Sequence, residues 1–255
     1  MKKGTAQRVS SFWKWLMQSV SWQSIHSPWL FDLLVAMRDP EFHNADIEAC
    51  RTALKANRLE VPRVDYGAGS TGNIQTISAI ARRSLKRPKH ARALAALTKH
   101  LQATAVLEMG TSLGITTAYI AAHCEQVCTL EGNPTVAAAA QRTWRELNIN
   151  NIAILEGPFD ETLKPALNAS DGFDLIFIDG NHRGKALRSY IDQCRDFLSP
   201  SGAIVCDDIH WSSDMESAWK EICNQPEWTL CVDFFEWGLL TRNPNLKREM
   251  KAIRF

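Results

Sequence analysis

The sequence predicts an α/β fold: a mostly parallel sheet with helices on both faces, ending in an antiparallel hairpin and preceded by a helical extension. Three observations predict it. From residue 104 onward, short apolar runs alternate with helix-length segments, the pattern of a parallel sheet covered on both sides. Only Phe235-Glu236-Trp237 stand between the last two candidate hairpin strands, too few for a parallel crossover. Residues 1–60 carry apolar side chains at helical spacing instead.

The elements follow in order. Phe12, Trp13, Leu16, Met17 and Val20 form one apolar stripe, and Leu30, Phe31, Leu33, Leu34 and Met37 form another. Ser27-Pro28 reads as a helix start with Pro in the first turn. Residues 46–59 make a third amphipathic stretch. Residues 64–72 are a Gly-rich loop, and a basic run follows with Arg82, Arg83, Lys86, Arg87, Lys89 and His90. Residues 91–101 read as a helix. Candidate strands are 105–107, 127–130, 152–155, 175–178, 203–206, 230–234 and 238–240. Asn133 caps a helix with Pro134 in its first turn. Ser213-Asp214-Met215-Glu216 reads as a capping box. Ser199-Pro200-Ser201-Gly202 reads as a turn before the fifth strand. The expected division is an N-terminal extension with its basic and Gly-rich loop over 1–90, and a catalytic domain over 91–255.

Bulk properties exclude several classes. The chain has 255 residues, 45% hydrophobic and 22% charged, as a soluble globular protein does. A net charge of +1 lacks the basic bias of a dedicated nucleic-acid binder, so no nucleic-acid partner is expected. The seven Cys lack metal spacing, and as reduced thiols they fit a reducing cytoplasm. No apolar run is long enough for a transmembrane span, and the N-terminus lacks the pattern of a signal peptide.

A ligand of an open parallel sheet binds at the carboxyl ends of its strands. The first strand ends at Glu108, and Gly110-Thr111-Ser112-Leu113-Gly114 follows. Gly110 suits a tight turn, and Gly114 suits a close approach of the next helix, whose first amides would face the ligand. Glu131 ends the second strand, where a carboxylate accepts both hydroxyls of a ribose. The spacing G-x-x-x-G departs from the nicotinamide fingerprint.

The stretch 107–114 resembles motif I of class I S-adenosylmethionine-dependent methyltransferases. The resemblance covers about 85–245 and implies a Rossmann-like sheet of that class. It implies that Gly110, Ser112 and Gly114, with Glu108 before them, line the methionine part of S-adenosylmethionine. It places Glu131 on the ribose, and Gly157 and Phe159, in the loop after the third strand, at the adenine. A second Gly-rich stretch, 65–70, also resembles motif I. No convincing strand precedes it, and Arg82, Arg83 and Lys86 stand where the ribose acid should follow, so it reads as a loop.

At the reaction end, Asp179-Gly180-Asn181-His182-Arg183 follows the fourth strand and Asp207-Asp208-Ile209-His210-Trp211 the fifth. Hard oxygen ligands suit Mg²⁺ or another divalent cation. The arrangement resembles catechol and caffeoyl-CoA type O-methyltransferases, which implies a metal on Asp179, Asp207 and Asp208. Asp208 departs from the Asn usual there: the extra charge would tighten cation binding or mark a site that no longer works that way. His182 stands where that family places a catalytic Lys. It is either a general base or a loop His that orders its neighbours. Asp179 and His182 are thus the candidate catalytic pair. The motifs of amino-group DNA methylases and cytosine C5 methylases are absent, which favours a small-molecule hydroxyl acceptor.

The whole chain is also similar to a largely uncharacterised bacterial family of methyltransferases, through 26–28, 87–90, 110–117, 179–183 and 207–212. In related enzymes a loop at 89–91 covers the cofactor, so Lys89 or His90 is expected near the site. The basic cluster 82–90 would attract an anionic acceptor. Four of the nine Trp lie in the first 29 residues. This segment would cap the catalytic domain, make a homodimer contact, or lie at a membrane surface beside Lys2, Lys3, Arg8 and Lys14, with a lipid-like acceptor. The leading function is small-molecule O-methylation, assisted by a cation if the acids hold one. The alternatives are an NAD-dependent oxidoreductase and a non-catalytic nucleoside-binding module.

Overall fold

The computed structural model describes residues 3–64 and 74–254. The Gly-rich stretch 65–70 and most of the loop around it lie outside the described residues. Five parallel strands form the frame: β4 (Ala105–Met109), β5 (Gln126–Glu131), β6 (Ile152–Glu156), β7 (Phe173–Ile178) and β8 (Leu198–Asp207). Helices α6 (Ile115–Ala121), α7 (Pro134–Glu146), α8 (Phe159–Asn168) and α9 (Gly184–Cys194) alternate with them. β5 and β6 lie on one side of β4, β7 and β8 on the other. The strand order therefore reverses at β4, which opens a crevice at its carboxyl end.

The strands alternate their faces as the backbone pleat requires. Val106, Leu175, Phe177 and Val205 join one core, while Leu107, Ile176, Ile178 and Ile204 join the other. The first core includes residues of α2 (Pro28–Ala36), α5 (Pro88–His100) and α6. The second includes residues of α8, α9 and α10 (Ser213–Asn224).

The expected hairpin is present. β9 (Leu230–Asp233) and β10 (Trp237–Thr241) pair antiparallel, and β10 inserts between β9 and β8. Two strands were not legible. β11 (Glu249–Arg254) runs parallel to β9, and β1 (Val20–Ser21) runs parallel to β11, completing nine strands. Val20 thus belongs to the sheet rather than to a helical stripe. The boundary drawn at residue 90 falls inside α5.

Other local expectations shift. The 199–202 segment runs within β8 rather than forming a turn before it. Ser212, not Ser213, caps α10, by accepting from Met215 N–H at 3.2 Å. Asn133 caps α7 as expected, accepting from Thr135 and Val136 N–H. α3 (Ala45–Ala56) is capped by Asn44 in the same way. A small separate ladder joins β2 (Glu60–Pro62) to β3 (Ile74–Thr76), just before α4 (Ile77–Ser84).

The first helix, α1 (Lys3–Gln18), corrects the expected apolar stripe. Trp13 and Met17 are 58% and 78% exposed, whereas Trp15 and Ser11 are buried. Polar anchors choose this face. Ser11 donates to Glu216 at 2.8 Å, and the Trp15 indole N–H donates to the Asp233 carbonyl at 3.1 Å. Phe12 and Trp15 both pack on the ring of Phe235. Among the described residues no helix is long and apolar enough to cross a membrane.

The edge strand ties the N-terminal segment to the C-terminus. Ile253 is buried and stands opposite Val20. Ile253→Ala should cost about 2–4 kcal/mol of stability, measured as a lower urea midpoint with an unchanged slope.

Candidate active site

The turn after β4 is built by close backbone approach. Gly110 N–H and Thr111 N–H both donate to the Leu130 carbonyl, at 3.0 and 3.2 Å. Gly110 adopts φ +108°, and a Cβ there would lie 2.0 Å from the Asp179 carbonyl oxygen. Only glycine fits that position. Ser112 also has positive φ, and its buried Oγ has no partner among the described residues. At Gly114 a Cβ would meet the Trp144 indole nitrogen at 2.5 Å, and that nitrogen donates to the Gly114 carbonyl at 2.9 Å.

Glu131 faces this turn from the end of β5. Its carboxylate accepts from Ser112 N–H at 2.8 Å and Asn133 N–H at 2.9 Å. Burial pushes its pKa upward, and the amide donors work against that. Gly157 N–H donates to the Glu131 carbonyl at 2.9 Å, which fixes the next loop beside it. Phe159 then lies on Gly180, where a Cβ would stand 2.8 Å from its ring, and its ring meets Tyr190 edge-on. Gly110, Ser112, Glu131, Gly157, Phe159 and Asp179 therefore share one edge of the sheet. This is the edge the sequence indicated.

Glu108 does not belong to that group. It is fully buried beneath the turn, where Oε2 accepts from Thr117 at 2.5 Å and Thr129 at 2.7 Å, and Oε1 has no partner. The side chain faces the two threonines rather than the crevice. Burial pushes its pKa up to about 8.

The acids at the reaction end are arranged differently from the expected metal set. Asp179 and Asp207 converge, but on the ammonium of Lys86. Lys86 Nζ donates to Asp179 Oδ1 at 3.0 Å and makes a short contact with Asp207 Oδ2. Burial opposes the lysine's charge, yet the two carboxylates outweigh it and hold the ammonium above its ordinary pKa. Asp208 turns elsewhere, with Oδ1 3.6 Å from Arg8 and Oδ2 3.8 Å from His182 Nε2. Among the described residues no group of three or more His, Cys, Asp or Glu side chains is arranged to hold a metal ion. The expected set of Asp179, Asp207 and Asp208 thus does not converge on one point: the first two share the Lys86 ammonium, and the third faces Arg8. These residues as placed do not fit a divalent ion.

Lys86 was missed as a partner of these acids. It lies 93 residues before Asp179 and 121 before Asp207. The only signal was its place in the basic run. His90, expected near the site, stands with Nε2 3.1 Å from Glu236. Arg87 approaches the same carboxylate at 3.5 Å, and the Glu236 carbonyl accepts from Asp208 N–H at 2.7 Å. His182 is partly exposed beside Trp211, whose ring Arg8 also covers at 5.5 Å. His210 is buried on Asp233 and stacks on Phe235, so it supports α1's docking site.

Comparison with known proteins agrees with this geometry. A family model described as a methyltransferase domain matches residues 107–209. No curated protein sequence matches the chain. Among solved structures, an O-methyltransferase from Bacillus cereus in complex with S-adenosylhomocysteine superposes with a TM-score of 0.60 at 18% identity. That match covers 82% of this chain and 94% of that one. The Podospora anserina methyltransferase PaMTH1, bound to the same product, gives 0.54 at 16% identity, covering 94% and 96%. The O-methyltransferase TomG of Streptomyces achromogenes, in complex with S-adenosylmethionine, gives 0.55 at 17% identity, covering 62% and 81%. Residues 107–209 are thus similar to a methyltransferase domain, and the fold is the Rossmann-like one of these solved structures, as the motif I resemblance implied.

Glu108 gives a pH test. Its carboxyl holds a proton in the fold up to about pH 8, whereas the unfolded chain loses it near pH ~4.3. Its contribution is full below the unfolded value and falls as pH rises toward the folded value. Glu108→Gln should flatten this decline, so its melting temperature relative to wild type should rise between pH 5 and pH 8 in parallel scans.

Proposed function

We propose that this protein transfers a methyl group from S-adenosylmethionine to a hydroxyl of a small molecule. The turn carries the reading: Gly110 and Ser112 at positive φ, an unpartnered Ser112 hydroxyl and the Glu131 carboxylate all stand at the switch point of the sheet. These groups fit the cofactor. Ser112 offers an unused buried donor, and Glu131 accepts from ribose hydroxyls. Phe159, packed on Gly180, supplies a flat apolar surface for the adenine. When bound, the cofactor supplies an electrophilic methyl group on a sulfonium.

The chain's own residues do the rest. The acidic edge at Asp179, directly beside Gly110, is where an acceptor oxygen would be held in line with that methyl group. His182 is the candidate base for the hydroxyl proton. Its Nε2 lies 3.8 Å from a carboxylate oxygen of Asp208, and an imidazole is a suitable general base for a hydroxyl. Lys86 and Arg87 reach this edge, which suits an anionic acceptor. The exposed Trp13 and Met17 of α1 give a lipid-like acceptor, or a membrane surface, a place to approach.

Calorimetry with S-adenosylhomocysteine and with NAD tests the reading. Binding of the first and not the second is expected; tight NAD binding alone would overturn it. Glu131→Ala should weaken S-adenosylhomocysteine by about tenfold or more, since hydrogen bonds to a charged group contribute about 1.5–3 kcal/mol. Once an acceptor is identified, His182→Ala should lower kcat about 100-fold or more with little change in cofactor affinity. Equal turnover would remove His182 from the chemistry.

A further inference from the structure

We propose that Lys86 is a built-in cation standing where a divalent metal would sit, and that its ammonium is the positive charge that receives the acceptor oxygen. The inference rests on the methyl-transfer reading above and adds a residue to it.

Position is the first support. Asp179 and Asp207 end two neighbouring strands, β7 and β8, and their carboxylates point at one spot. Two such charges repel unless a cation lies between them. Lys86 Nζ lies there and bonds to both. Its side chain is only 15% exposed, so the ammonium is not a surface group folded over by chance.

The second support is the seat built for it. Arg51 donates from Nη1 to the Lys86 carbonyl at 2.5 Å. Arg51 is itself 3% exposed, and its Nε donates to both oxygens of Glu48, at 2.9 and 3.1 Å. Glu48 in turn accepts from the Tyr119 hydroxyl at 2.8 Å. A buried guanidinium thus fixes the backbone from which the lysine extends. Pro88 begins α5 two residues later and limits the segment further.

The third support is the diversion of Asp208. A hard cation seeks about six oxygens. Here the third acid is turned to Arg8 and His182, and the first two already share the Lys86 ammonium. An ammonium has three donors. Two serve Asp179 and Asp207, and the third can donate to an acceptor oxygen. A fixed positive charge beside the acceptor stabilises the oxyanion that develops as the hydroxyl proton passes to His182. Lys86 would therefore orient and acidify the acceptor, the two tasks a metal performs at such a site.

Titration of the full chain with Mn²⁺, read by loss of the free-ion electron paramagnetic resonance signal, tests this. S-adenosylhomocysteine binding is measured by calorimetry on the same samples. Wild type is expected to take up no Mn²⁺ at millimolar concentration. Lys86→Ala should open the seat and raise affinity for the ion by about tenfold or more, and adding Asp207→Asn should abolish the gain. Lys86→Arg, which keeps a cation, should stay metal-free. Lys86→Met replaces Lys86→Ala if the latter fails to fold. Wild-type Mn²⁺ uptake that Asp207→Asn removes would overturn the proposal. So would a folded Lys86→Ala or Lys86→Met protein that takes up none. Loss of S-adenosylhomocysteine binding in wild type would instead sink the methyl-transfer reading, and the Mn²⁺ result would still decide the lysine.

Discussion

The close approach of two strand ends, at Gly110 and Asp179, is the constraint on which the rest depends. Asp179 N–H donates to the Met109 carbonyl at 2.8 Å, while a side chain on Gly110 would collide with the Asp179 carbonyl. The turn after β4 and the acid after β7 are therefore one unit. Whatever binds the turn is placed beside that acid. Glu131 then fixes the turn from the other side by accepting from Ser112 N–H. In the proposed reaction, the cofactor's nucleoside end and reacting end would thus be located by two contacts a few residues apart.

Charge balance explains why the N-terminal third is part of the machinery. The carboxyl edge gathers Asp179, Asp207, Asp208 and Glu236. Their opposite charges come from Lys86 and Arg87, in the segment leading into α5, and from Arg8 on α1, while burial holds the His90 imidazole beside Glu236 below its ordinary pKa. None of these basic groups comes from the strands of the sheet. The strand-end loops supply negative charge, and the preceding helices supply the positive charge. β1 at the sheet edge and the core residues of α2 bind that extension into the same body.

Much of this was legible. The placement of the motif I turn, Glu131 and the acids at one sheet edge could be read because strand ends and Gly turns leave local signatures. The parallel frame and the β9–β10 hairpin could be read because apolar runs alternate over short distances. The failures at the site and on α1 are long-range. Lys86 could not be matched to acids about a hundred residues away, since a basic run looks the same whether solvated or paired. The buried face of α1 was misread because two hydrogen bonds, from Ser11 and Trp15, choose it over the more apolar Trp13 and Met17. Glu108 was misread because motif position does not say which way a side chain turns; Thr117 and Thr129 draw it beneath the loop. β11, with its charged sequence, lacks the apolar run by which strands were found.

A tethered ammonium differs from a metal in one consequential way: it is part of the chain. A metal is acquired after folding, and its affinity sets whether the site is ready. Lys86 arrives with the α4–α5 connection, and its place depends on Arg51, Glu48 and Tyr119 being packed. Removing one member of a buried charge pair leaves the other uncompensated, at a cost of about 3–5 kcal/mol. Asp179 and Asp207 therefore have the Lys86 ammonium between them only when the N-terminal third has docked. Formation of the site and docking of the extension become a single event, and the acids that would otherwise repel each other instead hold the extension in place.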